Sequence, residues 1–465
     1  MAPRVPSRTH LRQYAHLIQA LYYRPYREMG EEVLTLCVRL RELVLDAYAG
    51  GYATSLGRRI MQSSSAYTPW MQLIAHNKGL EALTILHGGD IFSWLHVAHH
   101  SHLRSLTIQH GSIGASGVES FMSLGGQLST LILVQTNLAG FHLPPGMQLV
   151  KLECLHLEYV KNMSVLGQFD FIQRCPRLKE LALFVHGIPQ VVFQSLPQIL
   201  QEYCPKVSSL SLAATPSNGL EDYGMDTIPT SHMKTPAALR SLTLYTKWVD
   251  NAMYQLVVEH RQTLTRINFQ TCANVTRQQI RAILSDCSHL VELAVLSAYV
   301  DDVIDRPWAC RHLESLSICF VGFDGDREVP SKARNLQLKV LQQLSELVHL
   351  RRLDLGYARQ SSSGQLVLNS LRLTLKGGLA KLATLRSLEH FGCLGIEHGL
   401  HKEELRWMFE RWKDLTLLRA QWVDCKGRQD SRMLEWIEDR RPRRVLLDTR
   451  SYDSVFRRRS HVEPL

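Results

Sequence analysis

The sequence predicts an α/β solenoid, a fold in which units of one short strand and one helix stack along the chain. An apolar pattern, Leu-x-x-Leu-x-Leu, recurs from the beginning of the chain almost to its end. From Leu80 to Leu313 successive copies begin 23 to 32 residues apart, a period that accommodates one strand and one helix. Helical apolar spacing follows several copies, as at Ile280, Ile283 and Leu284.

The pattern has twelve clear copies. Their first positions are Leu40, Leu80, Leu103, Leu128, Leu152, Leu178, Val207, Leu239, Leu264, Leu290, Leu313 and Leu350. Weaker copies are expected at Ile18/Leu21/Tyr23, Leu385/Leu388 and Leu415/Leu418, which makes about 14 or 15 irregular repeats.

The second and third apolar positions of each copy are two residues apart, so they lie on the same side of an extended strand. One strand and one helix cannot bury that apolar side alone, whereas stacked copies bury it in a continuous core. A doubly wound nucleotide-binding fold also alternates strands and helices, but its strands read as uninterrupted apolar runs. The sequence therefore favours strands on the inner, concave side of an arc and helices on the outer side.

One repeat is diagnostic of a subtype. It runs from Leu264 through Ile267 and Phe269 to Cys272 after the strand, and ends at Cys287 after a helical segment. A cysteine also precedes the next strand at Cys175-Pro176 and Cys204-Pro205. The chain thus resembles the F-box/leucine-rich-repeat proteins, whose cysteine-containing, RNI-like repeats form a right-handed β-α superhelix.

The resemblance implies a function as well as a fold. In that family the repeats recruit a protein substrate, and an F-box docks the adaptor of a cullin-type ubiquitin ligase. Only seventeen residues precede Ile18, so no F-box is expected within this chain. The cullin-ligase adaptor is an expected partner only if an F-box exists upstream.

Three regions are expected: an N-terminal extension at 1–17, the leucine-rich-repeat solenoid at 18–425, and a basic C-terminal cap and tail at 426–465. The net charge is +10, and residues 426–459 hold 11 basic and 6 acidic residues. The rest of the chain is only mildly basic, so nucleic acid is an unlikely partner.

No apolar stretch is long enough for a membrane span or a secretory signal. Ten dispersed cysteines favour a reducing compartment, cytoplasmic and/or nuclear.

Candidate partner-binding residues are those that alternate with the apolar strand positions and therefore face the inner side. The mixed polar, charged and aromatic character of this set suits protein recognition. The alternative is a solvated face without a partner. The candidates are His156, Glu158, Glu180, Phe184, Tyr245, Arg266, Asn268, Gln270, Glu292, Arg352, Asp354, Arg419 and Gln421, and Cys154 shares the strand of His156.

Three longer intervals interrupt the repeat spacing, at 213–236, 320–335 and 356–378. Each is expected to start directly after a strand and to emerge on the same rim of the arc. Such insertions can form the binding side of a repeat protein, and neutral variation in loop length is the alternative.

Other motifs predict no catalytic, cofactor or metal site. His96, His99, His100 and His102 have helical spacing but lack a completing Cys or carboxylate, and a solvated helix end explains them. The glycines at 111–117 match no phosphate-loop fingerprint. The arginine clusters at 440–444 and 457–459 could bind phosphate or direct nuclear import, and a solvated end is the favoured interpretation.

The predicted function is non-catalytic. The repeats are expected to bind a protein substrate or partner on the concave face, as the substrate-recognition domain of an F-box-type ubiquitin-ligase receptor. Two alternatives remain: a repeat scaffold without a ubiquitin link, and a nucleic-acid-associated protein that uses its basic tail. A nucleic-acid complex would weaken steeply with salt, whereas an apolar protein interface would not.

Overall fold

A computed structural model shows two compact units. The described residues of the first unit lie within 17–215 and those of the second within 238–448. In full, the structure describes residues 17–23, 37–46, 73–86, 100–114, 117–186, 190–215, 238–245, 251–272, 275–323, 330–356, 367, 369–422, 430–442 and 444–448.

The first unit contains eight described strands, each hydrogen-bonded in parallel to the next in sequence. They are β1 (Ala20–Tyr23), β2 (Glu42–Asp46), β3 (Ala82–Leu86), β4 (Ser105–Gln109), β5 (Thr130–Val134), β6 (Cys154–Glu158), β7 (Glu180–His186) and β8 (Ser209–Thr215). Its described helices include α1 (Gly117–Gly125), α2 (Val165–Gln173) and α3 (Gln190–Tyr203), and a single helical turn lies at 73–76.

The second unit also contains eight described strands in sequential parallel order. They are β9 (Ser241–Leu244), β10 (Arg266–Phe269), β11 (Glu292–Tyr299), β12 (Ser315–Val321), β13 (Arg352–Asp354), β14 (His390–Gly392), β15 (Leu417–Arg419) and β16 (Leu446–Asp448). Its helices are α4 (Asn251–His260), α5 (Arg277–Asp286), α6 (Val300–Val303), α7 (Pro330–Ser345), the 3-10 helix η1 (Leu379–Thr384), α8 (Lys402–Arg411) and α9 (Ser431–Arg440).

The repeat pattern is confirmed as the source of both cores. Leu43 aligns with Leu83, Leu83 with Leu106, and the same position continues from strand to strand in each unit. The leucines of the twelve clear copies are buried, most of them fully. Each unit is therefore an α/β leucine-rich-repeat solenoid. One strand buries too little apolar surface to be stable alone, so each depends on its neighbours.

Buried cysteines join successive repeats of the first unit. Cys175 and Cys204 follow α2 and α3 and are fully buried. The Sγ of Cys204 donates to the carbonyl of Ile172, 3.2 Å away in the preceding repeat. The Ile172 carbonyl also accepts the backbone N–H of Cys175 at 3.0 Å, so the thiol adds a second contact from the next repeat.

One sequence prediction about register was wrong. The copy predicted at Leu385/Leu388 is displaced by three residues, because Phe391 in β14 aligns with Leu353 in β13. Leu388 therefore takes the first position of the repeat and Phe391 the second. A further strand, β16, lies within the region predicted as a basic cap and tail, and its Leu447 aligns with Leu418.

The insertions also differ from prediction where the structure describes them. The first two begin inside strands, because β8 continues to Thr215 and β12 to Val321. Residues 330–335 belong to α7, so the second insertion is shorter than expected. Most of the first insertion, at 216–236, lies outside the described residues.

Candidate functional site

The side of each strand opposite the buried leucines is here called the open strand face. In β6 the buried residues Leu155 and Leu157 alternate with Cys154, His156 and Glu158, which are partly exposed. This alternation follows from the pleat of an extended chain. The β6 candidates therefore lie on the side of the strand opposite its buried leucines.

Four of these polar side chains converge in the first unit and form what we call the β6–β7 cluster: Cys154, His156, Glu158 and Glu180. Cys154 and Glu180 are register partners on the adjacent strands β6 and β7. The Nε2 of His156 lies 3.0 Å from the Oε1 of Glu180, and its Nδ1 lies 4.0 Å from the Oε1 of Glu158. One imidazole thus faces two carboxylates.

The cluster has a distinct electrostatic character. Burial opposes the charge of His156, but interactions with Cys154 and Glu180 outweigh it and raise its pKa from 6.5 to about 10. The hydrogen bond from His156 lowers the pKa of Glu180, whereas burial acts in the opposite sense. Burial raises the pKa of Glu158, and attraction to His156 only partly offsets that effect. His156 is therefore a cation at neutral pH.

An aromatic pair borders the cluster. Phe184 in β7 lies 6.1 Å from Tyr159, measured between ring centroids, with the rings tilted by 55°. Tyr159 follows β6 in a left-handed backbone conformation (φ 52°), and its N–H donates to the carbonyl of Phe184. His110 and Gln135 take the same conformation directly after β4 and β5. This repeated turn brings Tyr159 beside Phe184.

A row of charged residues crosses four strands of the second unit. Asp354, Gly392, Arg419 and Asp448 are successive register partners on β13, β14, β15 and β16. The guanidinium of Arg419 lies 3.9 Å from Asp354 and 3.5 Å from Asp448. Gly392 makes the first approach possible, because a Cβ there would lie 2.6 Å from the Asp354 carboxyl group. We call Asp354, Arg419 and Asp448 the ion-pair row.

Other predicted residues of the second unit form smaller groups. Arg266 lies 3.6 Å from Glu292, its register partner on β11. The amide of Gln270 donates to the Ser317 hydroxyl at 3.3 Å, and its backbone N–H donates to the Asn268 side chain at 3.1 Å. The Arg266–Glu292 pair thus joins β10 to β11, and the Gln270–Ser317 contact reaches from the end of β10 to β12.

The remaining candidates are not brought together. Tyr245 directly follows β9 and is 37% exposed. Arg352 is exposed on β13, and no ion pair with it is found among the described residues. The backbone carbonyl of Gln421 accepts a hydrogen bond from the buried His398 ring.

The sequence did not reveal one residue of the ion-pair row and one contact of the β6–β7 cluster. Asp448 belongs to the ion-pair row, but β16 has only a weak apolar pattern among basic residues. Cys154 was placed on the inner side, yet its approach to His156 and Glu180 depends on side-chain directions and strand register. The alternation in β6 signals a shared face and does not by itself signal convergence.

The set-aside histidine and tail motifs are only partly described. His96 and His99 lie outside the described residues, whereas His100 is buried. Burial lowers the pKa of His100. Of the arginine clusters, 457–459 lies outside the described residues, and Arg440 and Arg441 end α9.

Among the helices that the structure describes, none is sufficiently long and apolar to span a bilayer.

Comparisons with known proteins give fold-level likenesses. No family model and no curated protein matches the sequence. A leucine-rich-repeat protein of Leptospira interrogans is 15% identical, with 95% of this chain and 98% of that chain covered and a TM-score of 0.41. An internalin of Listeria monocytogenes is 12% identical, with 95% and 89% covered and a TM-score of 0.31. The fold assignment rests on the strands and register described above.

Proposed function

We propose that this chain is a non-catalytic repeat scaffold that binds a protein partner through its open strand face. The observation that carries the proposal is the ion-pair row. Arg419 is held between two carboxylates and remains partly accessible, with 17% of its side chain exposed. Arginine and aromatic residues in fixed positions are typical anchors of protein interfaces, because little entropy is lost when they bind.

The surroundings of these anchors support the same proposal. Arg266 exposes 63% of its side chain beside Glu292, and Arg352 is exposed on β13. Charged groups of both signs on one face allow electrostatic complementarity with a partner, which favours specific and rapid association. Binding of a partner to the charged residues of one unit is sufficient for this proposal.

The finer proposal is that the scaffold is the substrate-recognition domain of an F-box-type ubiquitin-ligase receptor. It is supported by the cysteine-containing repeat at 264–287, in which Cys272 and Cys287 are each 1% exposed. Buried cysteines at recurrent repeat positions agree with the RNI-like resemblance of the sequence. In this role the scaffold would raise the effective concentration of a substrate near the ligase.

The proposed compartment is the cytoplasm and/or nucleus. None of the nine cysteines that the structure describes takes part in a disulfide, and eight of them are buried. Thiols that remain reduced are typical of such compartments. Fractionation of cells that express the tagged chain tests this assignment.

The test of the proposed function is affinity purification of the chain followed by mass spectrometry. A double variant, Arg266→Glu and Arg352→Glu, reverses two exposed charges on the open strand face. The control is Arg411→Glu, which reverses an exposed charge near the end of α8. We expect a partner that co-purifies with the wild type and the control but is depleted about tenfold or more with the double variant.

The outcomes separate the proposals. Equal recovery of every partner with wild type and double variant would contradict binding through this face. Co-purification of a cullin and its adaptor supports the receptor role, and their absence among otherwise face-dependent partners leaves a scaffold without a ubiquitin link. Co-purification of nucleic acid in place of a protein partner, lost on addition of moderate salt, would instead favour the basic-tail alternative.

A further inference from the structure

The β6–β7 cluster contains three chemically different metal donors. Cys154 offers a sulfur, His156 a ring nitrogen and Glu180 a carboxylate oxygen, and these three atoms all lie within 4.8 Å of one another. Sulfur, imidazole nitrogen and carboxylate oxygen are the three ligand types that proteins use for zinc. They come from two strands whose backbones are fixed by parallel hydrogen bonds.

The strand register explains why the donors meet. Cys154 and His156 are two residues apart on β6 and therefore share a face, and Glu180 on β7 is directly opposite Cys154. The register partner of His156 is Ala182, whose small side chain leaves room for the imidazole beside β7. From there the Nε2 of His156 approaches the Glu180 carboxylate to 3.0 Å.

The spacing requires only a small adjustment to hold a metal ion. Zinc bonds of about 2.0–2.3 Å in a tetrahedral site place neighbouring donors about 3.3–3.8 Å apart. The three donor atoms lie within 4.8 Å of one another, so side-chain movements of about 1 Å would bring them to zinc-binding distances. The strands would not need to move. The donors are also accessible, since His156 exposes 21% and Glu180 49% of its side chain.

The second carboxylate completes the arrangement. Histidines that bind metal through one nitrogen usually direct the other toward a carboxylate or carbonyl, which fixes the ring orientation. In this cluster Nε2 lies 3.0 Å from the Oε1 of Glu180, and Nδ1 lies 4.0 Å from the Oε1 of Glu158. Glu158 is thus a positioning residue rather than a fourth ligand.

We propose that Cys154, His156 and Glu180 form a binding site for a divalent zinc ion, which binds with release of the protons of Cys154 and His156 to solvent and leaves the fourth coordination position open. Two hard carboxylates alone would favour magnesium or calcium, whereas the sulfur and imidazole select a borderline-soft metal such as zinc. When zinc is bound and no partner is present, a water molecule would fill the fourth coordination position. The site lies on the open strand face of the first unit and does not depend on the proposed partner.

The test uses the full chain, kept reduced, stripped with a chelator and then dialysed against zinc in competition with a chromophoric chelator. Each of three variants removes one ligand: Cys154→Ser, His156→Gln and Glu180→Gln. We expect the wild type to bind one zinc equivalent that each variant binds at least about 100-fold more weakly, since loss of an outer-shell partner alone costs about 10- to 100-fold. Circular dichroism verifies that the variants fold.

Glu292→Gln is the matched control. Glu292 takes the same strand position in β11 as Glu180 takes in β7, but it faces Arg266 and has no thiol beside it. This variant should bind zinc as the wild type does. Substitution with cobalt(II) supplies an independent readout, because a thiolate ligand produces a sulfur-to-metal charge-transfer absorption that should vanish in Cys154→Ser.

Three results would overturn the proposal. The first is zinc uptake that is equal in the wild type and in the three ligand variants, which would leave the cluster as an ion pair only. The second is a Glu292→Gln variant that loses zinc as Glu180→Gln does. The third is a cobalt adduct without thiolate absorption.

Discussion

Acidification should destabilise the second unit through His398, a histidine that is only 6% exposed. The backbone N–H of Leu400 donates to its Nδ1 at 3.0 Å, so Nδ1 must be an acceptor. Its Nε2 lies 2.9 Å from the Gln421 carbonyl and therefore carries the proton. The ring also meets Trp422 edge to face, with centroids 5.6 Å apart. The fold thus holds the neutral form of His398.

The magnitude follows from the shift in pKa. Burial is the main cause that lowers the pKa of His398 from 6.5 to about 4, with a smaller contribution from His401, and the hydrogen bond to Gln421 opposes the shift. The unfolded chain therefore takes up this proton at a higher pH than the native chain. The stabilisation is fully present above about pH 6.5 and is lost as the pH falls through 4, by about 3 kcal/mol in total.

The assay compares urea unfolding of the wild type and of His398→Gln, followed by circular dichroism, from about pH 7.5 to about pH 4.5. At neutral pH the variant should be less stable by about 1–3 kcal/mol, because buried hydrogen bonds are lost. As the pH falls, the difference should change by about 2–3 kcal/mol in favour of the variant, so that it disappears or reverses. The control is Gln278→Ala, an exposed position without a titratable group, for which the difference from wild type should stay constant.

A free-energy difference between wild type and His398→Gln that is equal at both ends of this range would refute the reasoning. The neutral state of His398 would then contribute nothing to the pH dependence. Hydrogen exchange locates the effect, since β14 and β15 should lose protection first on acidification.

The remaining predictions concern stability and use the same unfolding assay. Gly392→Ala should cost about 1–3 kcal/mol, because its Cβ would lie 2.6 Å from the Asp354 carboxyl group, whereas Gly126→Ala, which meets no atom within 4 Å, should change stability by less than about 0.5 kcal/mol. Equal effects at the two glycines would contradict the steric argument. Thr276→Ala should cost about 1 kcal/mol, because the Thr276 hydroxyl caps α5, and Gln278→Ala at an exposed position of the same helix should stay within about 0.5 kcal/mol. A Thr276→Ala variant as stable as Gln278→Ala would show that the cap is dispensable.

The fold could be predicted well where the apolar pattern was strong. Leu264, Ile267 and Phe269 mark β10 unambiguously, because a strand that buries one face needs large apolar residues at alternate positions. Prediction failed near the end of the chain. At β14 an additional leucine, Leu385, shifted the expected register by three residues, and at β16 two apolar residues among arginines gave too little signal.

The candidate site could be predicted only as a face. The alternation along β6 and β7 places His156, Glu158 and Glu180 on one side, but it does not reveal that the imidazole reaches Glu180 across the strands. The register partner of His156 on β7 is Ala182, 26 residues away in sequence. Such a pairing is a property of two strands and cannot be read from the sequence of either strand alone.

The sequence by itself determined the repeating strand and helix, the buried positions and the side on which polar residues emerge. These properties follow from local periodicity, which a single repeat already contains. Tertiary structure alone decided which polar residues meet: Cys154 with His156 and Glu180, and Asp354 with Arg419 over Gly392. Those contacts depend on interstrand register and on side-chain direction, both of which are set only when neighbouring repeats stack.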